Sequence, residues 1–258
     1  MLFPIGDDDR NLSGPAYVTT GLILANLFVF FILQQAGGDA VFTYGWSVVP
    51  AEITSGTDLV GSRLIVVGGE QVQIPQAPGP SPIYWTLLSA MFMHGGFLHL
   101  FGNLLYLWIF GDNVEHRFGS LTFLVFYLVS GLVATIVQVA LDPDSLIPNL
   151  GASGAISGVL GAYLVLFPRN KVHAVVFFFI VSVPAVVAIG FWILFQFIDG
   201  FGAIVVSEEM AGGVAYGAHI GGFFAGGVMA FVLRVMIKEE PAHIFRDVPD
   251  TYRPWRYR

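Results

Sequence analysis

LTFLVFYLVSGLVATIVQVAL, from Leu121 to Leu141, carries no charged side chain and a single amide, Gln138. As a helix rising 1.5 Å per residue it is about 30 Å long, the thickness of a bilayer's hydrocarbon core. Comparable runs, interrupted by charge, proline and glycine, lie on both sides of it: about Tyr17 to Gln35, Phe97 to Phe110, Ala152 to Phe167, Val172 to Phe197 and Tyr216 to Ile237. Together they predict an all-α polytopic membrane protein, a six-transmembrane-helix bundle in a single domain over 1–258. A long external loop, 37–96, separates the first two spans, and a cytoplasmic tail follows at 238–258.

The composition supports this. The 258 residues are 55% hydrophobic and 11% charged, with a mean hydropathy of +0.75, whereas a soluble domain is about a quarter charged. Disorder, collagen and a disulfide scaffold are excluded by the apolar content, the aperiodic glycines and the lack of cysteine, which also removes thiol catalysis and thiolate metal sites. A net charge of −7 argues against a nucleic-acid partner. No internal repeat supports an inverted-repeat transporter. The acidic start, Met1 to Arg10, precedes a run of full span length, so no signal peptide is expected.

The basic residues set an orientation. Arg10, Arg117, Arg169, Lys171, Arg234, Lys238, Arg246, Arg253, Arg256 and Arg258 fall on one side of the six spans, and Arg63 alone on the other. Positive charge collects on the cytoplasmic side, so both termini are expected there, in a multi-pass protein of the cell membrane. The segment Gly37 to Gly96 is then outside. Its apolar stretches, such as Leu64 to Gly68 and Trp85 to Met93, predict that it packs on the bundle or lies in the bilayer interface.

Polar groups inside spans are costly and mark functional candidates. His99 and Asn103 share one face of the second helix at i,i+4; Ser153 opens the fourth and His219 lies in the sixth. All three helices run inward. Ser153 is 16 residues before Arg169, His219 15 before Arg234, and His99 13 before Asp112. Those separations place the three groups roughly 20–24 Å above the inner boundary, at one depth. A serine hydroxyl becomes a nucleophile when an imidazole takes its proton, so Ser153 and His219 form a candidate catalytic dyad. Asn103, His99 and the unpaired Ser153 backbone N–H are candidate oxyanion donors. No carboxylate lies at that depth to complete a triad.

In sequence these residues resemble the rhomboid family of intramembrane serine proteases. Gly151-Ala152-Ser153-Gly154 is similar to that family's GxSG nucleophile motif, and His99-Leu100-Phe101-Gly102-Asn103 to its HxxxN oxyanion element, with His94 at a further upstream histidine. His219-Ile220-Gly221-Gly222 with Gly226 resembles the HxxGxxxG stretch of the last core helix. The segments from Trp85 to Gly96 and from Gly111 to Gly119 resemble those flanking the second helix. The matches run in order from Trp85 to Gly226. They imply cleavage of single-span membrane protein substrates within the lipid bilayer, with no cofactor and no metal. One position departs: Ser157 stands where some rhomboids carry an aromatic that stacks on the catalytic histidine.

Gly154, Gly158, Gly222 and Gly226 have the small-xxx-small spacing that brings two helices together. His94, Ser89 and Gln138 are candidates either to supply water or to bond structurally. Asp199 to Gly217 is a candidate lid, and the Phe-rich fifth helix faces lipid or gates substrate. Glu115, His116 and Arg117 are expected to pair or cap, too deep to join the chemistry. The tail from Glu239 to Arg258 suits anionic lipid or disorder. A non-proteolytic rhomboid-like binder or chaperone, and less so a small transporter, are the alternatives.

Overall fold

A computed structural model of the chain describes residues 2–8, 12, 14–67, 70–206 and 215–237; at residues 2, 65–67, 70, 199 and 201–206 only the backbone is described. The bundle is organised around α7 (Ser153–Leu166), whose residues are buried without a break from Gly154 to Tyr163. Glycine, alanine and serine recur along its first turns, so neighbouring helices approach its backbone closely. α6 (Ser120–Leu141) and α9 (Tyr216–Met236) flank it, and its contact with α9 is the most extensive between any two elements. At 14 residues, α7 is about 21 Å long, shorter than the 22-residue α6 and the 21-residue α9 beside it.

α5 (Phe97–Phe118) turns into α6 through Gly119 alone, at φ +80°, a left-handed conformation that glycine adopts without steric cost. α1 (Tyr17–Phe28) continues through a wider-wound turn, Val29–Leu33. Its first turn has no capping side chain of its own. Glu115, at the end of α5, accepts instead from Val18 N (2.9 Å), Thr19 N (2.7 Å), Thr19 Oγ1 (2.8 Å) and Ser120 Oγ (2.6 Å). A carboxylate there also meets the positive end of the helix dipole. His116 is likewise engaged, with the carbonyls of Asp112 and Gly14.

The segment after α1 folds over the end of the bundle where α7 begins. It comprises α2 (Ala40–Gly45), α3 (Pro50–Ser55), the hairpin β2 (Gly61–Val67) with β3 (Glu70–Gln76), and α4 (Thr86–Ser89) between two short 3-10 turns. Val48 and Asn149 exchange backbone bonds of 2.9 and 2.7 Å, and Gly151 N donates to Ala90 O at 2.8 Å. Val48, Val49, Met91 and Met93 are buried, which explains the apolar character of this segment.

At the opposite end, β1 (Leu2–Asp7), β4 (Lys171–Val176) and β5 (Phe179–Pro184) form an antiparallel sheet in the order β1-β4-β5. Asp7 ties it to the bundle, accepting from Asn113 Nδ2 at 2.9 Å and from the Tyr163 hydroxyl. Three expectations are corrected here. The protein is not all-α, because it carries this sheet and the β2–β3 hairpin. The fifth helix does not begin at Val172: α8 runs from Ala185 to Val206. The residues before it are rich in valine, isoleucine and phenylalanine, which suit a strand, and Pro184 fits the boundary where a helix starts. The second predicted helix also runs on, past Phe110 to Phe118, and its polar end is where Glu115 bonds to α1 and Ser120. The tail 238–258, Arg10 and the lid residues 207–214 lie outside the described residues.

The outward helix faces are apolar: Leu24, Phe101, Trp108, Leu121, Phe224 and Val235 are all exposed. Among the described residues, Ser120–Leu141 and Tyr216–Met236 are long and apolar enough to cross a membrane by themselves.

Candidate active site

α7 and α9 bring Ser153 and His219 together: Ser153 Oγ lies 2.8 Å from His219 Nε2. The approach depends on glycine. A Cβ on Gly222 would overlap the Gly154 carbonyl oxygen, and one on Gly226 would overlap that of Gly158, so the helices cross backbone to backbone. A Cβ on Gly154 would come within 2.7 Å of Ala134 Cβ on α6. Gly151, just ahead of α7, holds φ +133°, and a Cβ there would sit 2.8 Å from the Cε1 and Nε2 atoms of His99. It therefore serves both as a backbone position closed to other residues and as the surface on which the His99 ring lies.

His99 and Asn103 occupy the facing side of α5. Gly95 N donates to His99 Nδ1 at 3.3 Å, and the fully buried His94 meets the His99 ring edge-on at 5.1 Å. Asn103 is buried, and its Nδ2 has no hydrogen-bond partner among the described residues. An unpaired buried donor is unfavourable unless something arrives to accept from it. Ser153, His99, Asn103 and His219 line one cavity of about 560 Å³. Its wall continues along Tyr106 and Phe110 of α5 and Phe191 and Phe195 of α8, as far as Pro4. A second cavity of about 30 Å³, room for about one water molecule, lies behind Ser153 against Thr135, Gln138 and Gly151.

Several side chains outside the expected set complete the arrangement. Gln34 brackets His94, donating to its carbonyl at 3.0 Å and accepting from its N–H at 2.9 Å. Gln196 of α8 lies 2.6 Å from His219 Nδ1, and the Trp192 ring 6.0 Å from the imidazole. An amide one turn after a tryptophan, in a helix whose other polar side chain is Asp199, was the available signal. Ser157 does not reach the histidine, because its hydroxyl donates to Ser153 O at 2.6 Å. Gln138 and Ser89 make structural bonds, to Ala218 N at 3.1 Å and Trp46 O at 2.8 Å respectively, and Gln138 also faces the small cavity.

Fold and site define a class: a helical membrane bundle with a largely apolar pocket inside it, on whose wall a serine faces a histidine. The Rhomboid domain profile matches residues 82–235, more than half of the chain, and the protein belongs to the rhomboid family. It is therefore an integral membrane protein built as a polytopic helical bundle. RHOMBOID-like protein 5 of Arabidopsis thaliana is 32% identical over 155 residues, covering 58% of this chain and 44% of that protein. Rhomboid protease GluP of Bacillus subtilis is 36% identical over 143 residues, 55% of this chain and 25% of the relative. Rhomboid protein 1, mitochondrial, of Saccharomyces cerevisiae is 28% identical over 159 residues, 60% and 43%. The chain thus spans less than half the length of these relatives.

Proposed function

We propose that the protein is an intramembrane serine endopeptidase that cleaves single-span membrane proteins, with Ser153 as nucleophile and His219 as general base. The observation that carries this reading is the 2.8 Å approach of Ser153 Oγ to His219 Nε2 on the wall of a cavity inside the bundle. Ser153 Oγ attacks the scissile carbonyl carbon while its proton passes to His219 Nε2. The carbonyl oxygen becomes an oxyanion, stabilised by Asn103 Nδ2, the His99 ring and the Ser153 N–H in the first turn of α7. Collapse of the intermediate breaks the peptide bond, and the proton on Nε2 moves to the leaving amine. Water then attacks the acyl-enzyme, His219 takes its proton, and Ser153 is released; the small cavity behind Ser153 is a suitable reservoir.

A helical substrate has its carbonyls bonded and shielded, so it must unwind near the site, which favours glycine and small residues there. Entry between α5 and α8, the two walls of the large cavity, is consistent with the exposed Phe191 and Phe195. The protein is placed in the cell membrane with six spans, both termini cytoplasmic, and the site toward the outer face, on the distribution of its basic residues.

The test is reconstitution into vesicles with a labelled single-span substrate, comparing wild type with Ser153→Ala and His219→Ala. Cleavage by wild type alone is expected. Equal cleavage by all three contradicts the dyad. Binding without cleavage by wild type supports the non-proteolytic alternative.

A further inference from the structure

We propose that Gln196 is a positioning residue for the general base, so that the site operates as Ser153–His219–Gln196; this rests on the roles assigned above to Ser153 and His219. The imidazole has two nitrogens, and Nε2 faces Ser153 Oγ at 2.8 Å while Nδ1 faces Gln196 Oε1 at 2.6 Å. An amide oxygen only accepts hydrogen bonds, so Nδ1 carries the hydrogen. That leaves the Nε2 lone pair directed at the serine hydroxyl, the tautomer a base requires. The other tautomer would set two lone pairs against each other at Nδ1. When Nε2 takes the proton, the Nδ1–H bond to the amide persists and strengthens, because its donor is now charged. A neutral amide does this without burying a carboxylate, whose ionised form is costly in a membrane interior.

A second observation is independent of that bond. Trp192, one turn before Gln196 on the same face of α8, lies 6.0 Å from the His219 ring at 38°, and Tyr216 meets it edge-on at 6.4 Å. Ser157 contributes no ring support, since its hydroxyl is committed to Ser153 O. The support absent from α7 is thus supplied by α8, which sets the tilted Trp192 ring beside the imidazole and fixes its tautomer with an amide.

The test uses the full chain in vesicles, with Gln196→Met to keep volume but remove the acceptor, Gln196→Glu to keep an acceptor oxygen, and Ser153→Ala. Cleavage of a single-span substrate gives kcat and KM, and a fluorophosphonate gives the labelling rate of the serine. Gln196→Met is expected to lower kcat and the labelling rate together by about 10–100-fold with KM within about twofold, the signature of a lost transition-state contribution. Gln196→Glu is expected to recover at least about tenfold over Gln196→Met. Gln196→Asn, too short to reach Nδ1, is a second lesion should Gln196→Met not fold, and is expected to behave as Gln196→Met would. Wild-type kcat and labelling in Gln196→Met or Gln196→Asn, equal impairment of Gln196→Met and Gln196→Glu, or a loss confined to KM would each overturn the assignment. Wild-type labelling of Ser153→Ala would instead overturn the underlying serine–histidine reading.

Discussion

Gly222→Ala adds one methyl group at the tightest point between α7 and α9. The new Cβ would overlap the Gly154 carbonyl oxygen and sit 3.0 Å from the Gly154 carbonyl carbon and 3.2 Å from Ala134 Cβ. Ordinary carbon contacts are about 3.5–4.0 Å, so the helices must part by roughly 1 Å. Gly154 adjoins Ser153 in the chain, and Gly222 is one turn from His219, so the displacement reaches the dyad undiminished. The 2.8 Å Ser153–His219 bond then lengthens past hydrogen-bonding range. A misplacement of about 1 Å costs about 100-fold in rate, and overpacking of this kind costs about 1–3 kcal/mol of stability. The assay is substrate cleavage and fluorophosphonate labelling at equal protein, with thermal unfolding alongside. Gly21→Ala is the control, because a Cβ there meets nothing within 4 Å. Cleavage by Gly222→Ala within twofold of wild type, at normal expression, would refute the argument that backbone contact between α7 and α9 sets the dyad; Gly222→Leu is expected to be inactive.

Other perturbations separate stability from chemistry. Asn103→Ala removes a buried donor that has no partner among the described residues, so it should lower kcat about 100-fold or more while leaving thermal stability unchanged or raised, as kinetics and melting curves will show. Gly151→Ala combines an unfavourable backbone conformation with a Cβ 2.8 Å from the His99 ring; a loss of about 1–3 kcal/mol and of serine labelling is expected, measured on one preparation. Glu115→Ala strips four hydrogen bonds from the junction of α1, α5 and α6 and should cost about 3 kcal/mol by thermal unfolding. Because that junction is at the far end of the bundle, the labelling rate of the folded fraction should change little.

Much of the site was legible because it departs from its background. In helices made of valine, leucine and phenylalanine, Ser153, His219, His99 and Asn103 stand out, and counting along three helices puts the serine and the two histidines at one depth. The motif glycines were legible for the same reason, their spacing stating a helix contact that the α7–α9 crossing then uses. The sheet at the opposite end was not legible. VHAVVFFFIVSV is as apolar as a span, and period alone does not separate a buried strand from a helix in such a run. The pairing of β1 with β4 joins residues about 170 positions apart, a contact that no local pattern announces. Gln196 lies within a predicted span and in no family motif, so its place beside His219 becomes visible only with α8 packed against α9.

The proposed chemistry requires Ser153 to be a nucleophile activated by His219. Reacting the reconstituted protein with a fluorophosphonate and locating the adduct by peptide mass spectrometry measures this directly. A single adduct on Ser153, lost in Ser153→Ala and slowed at least about 100-fold in His219→Ala, is the predicted result. An adduct on another residue, or one whose rate is indifferent to His219, would contradict it.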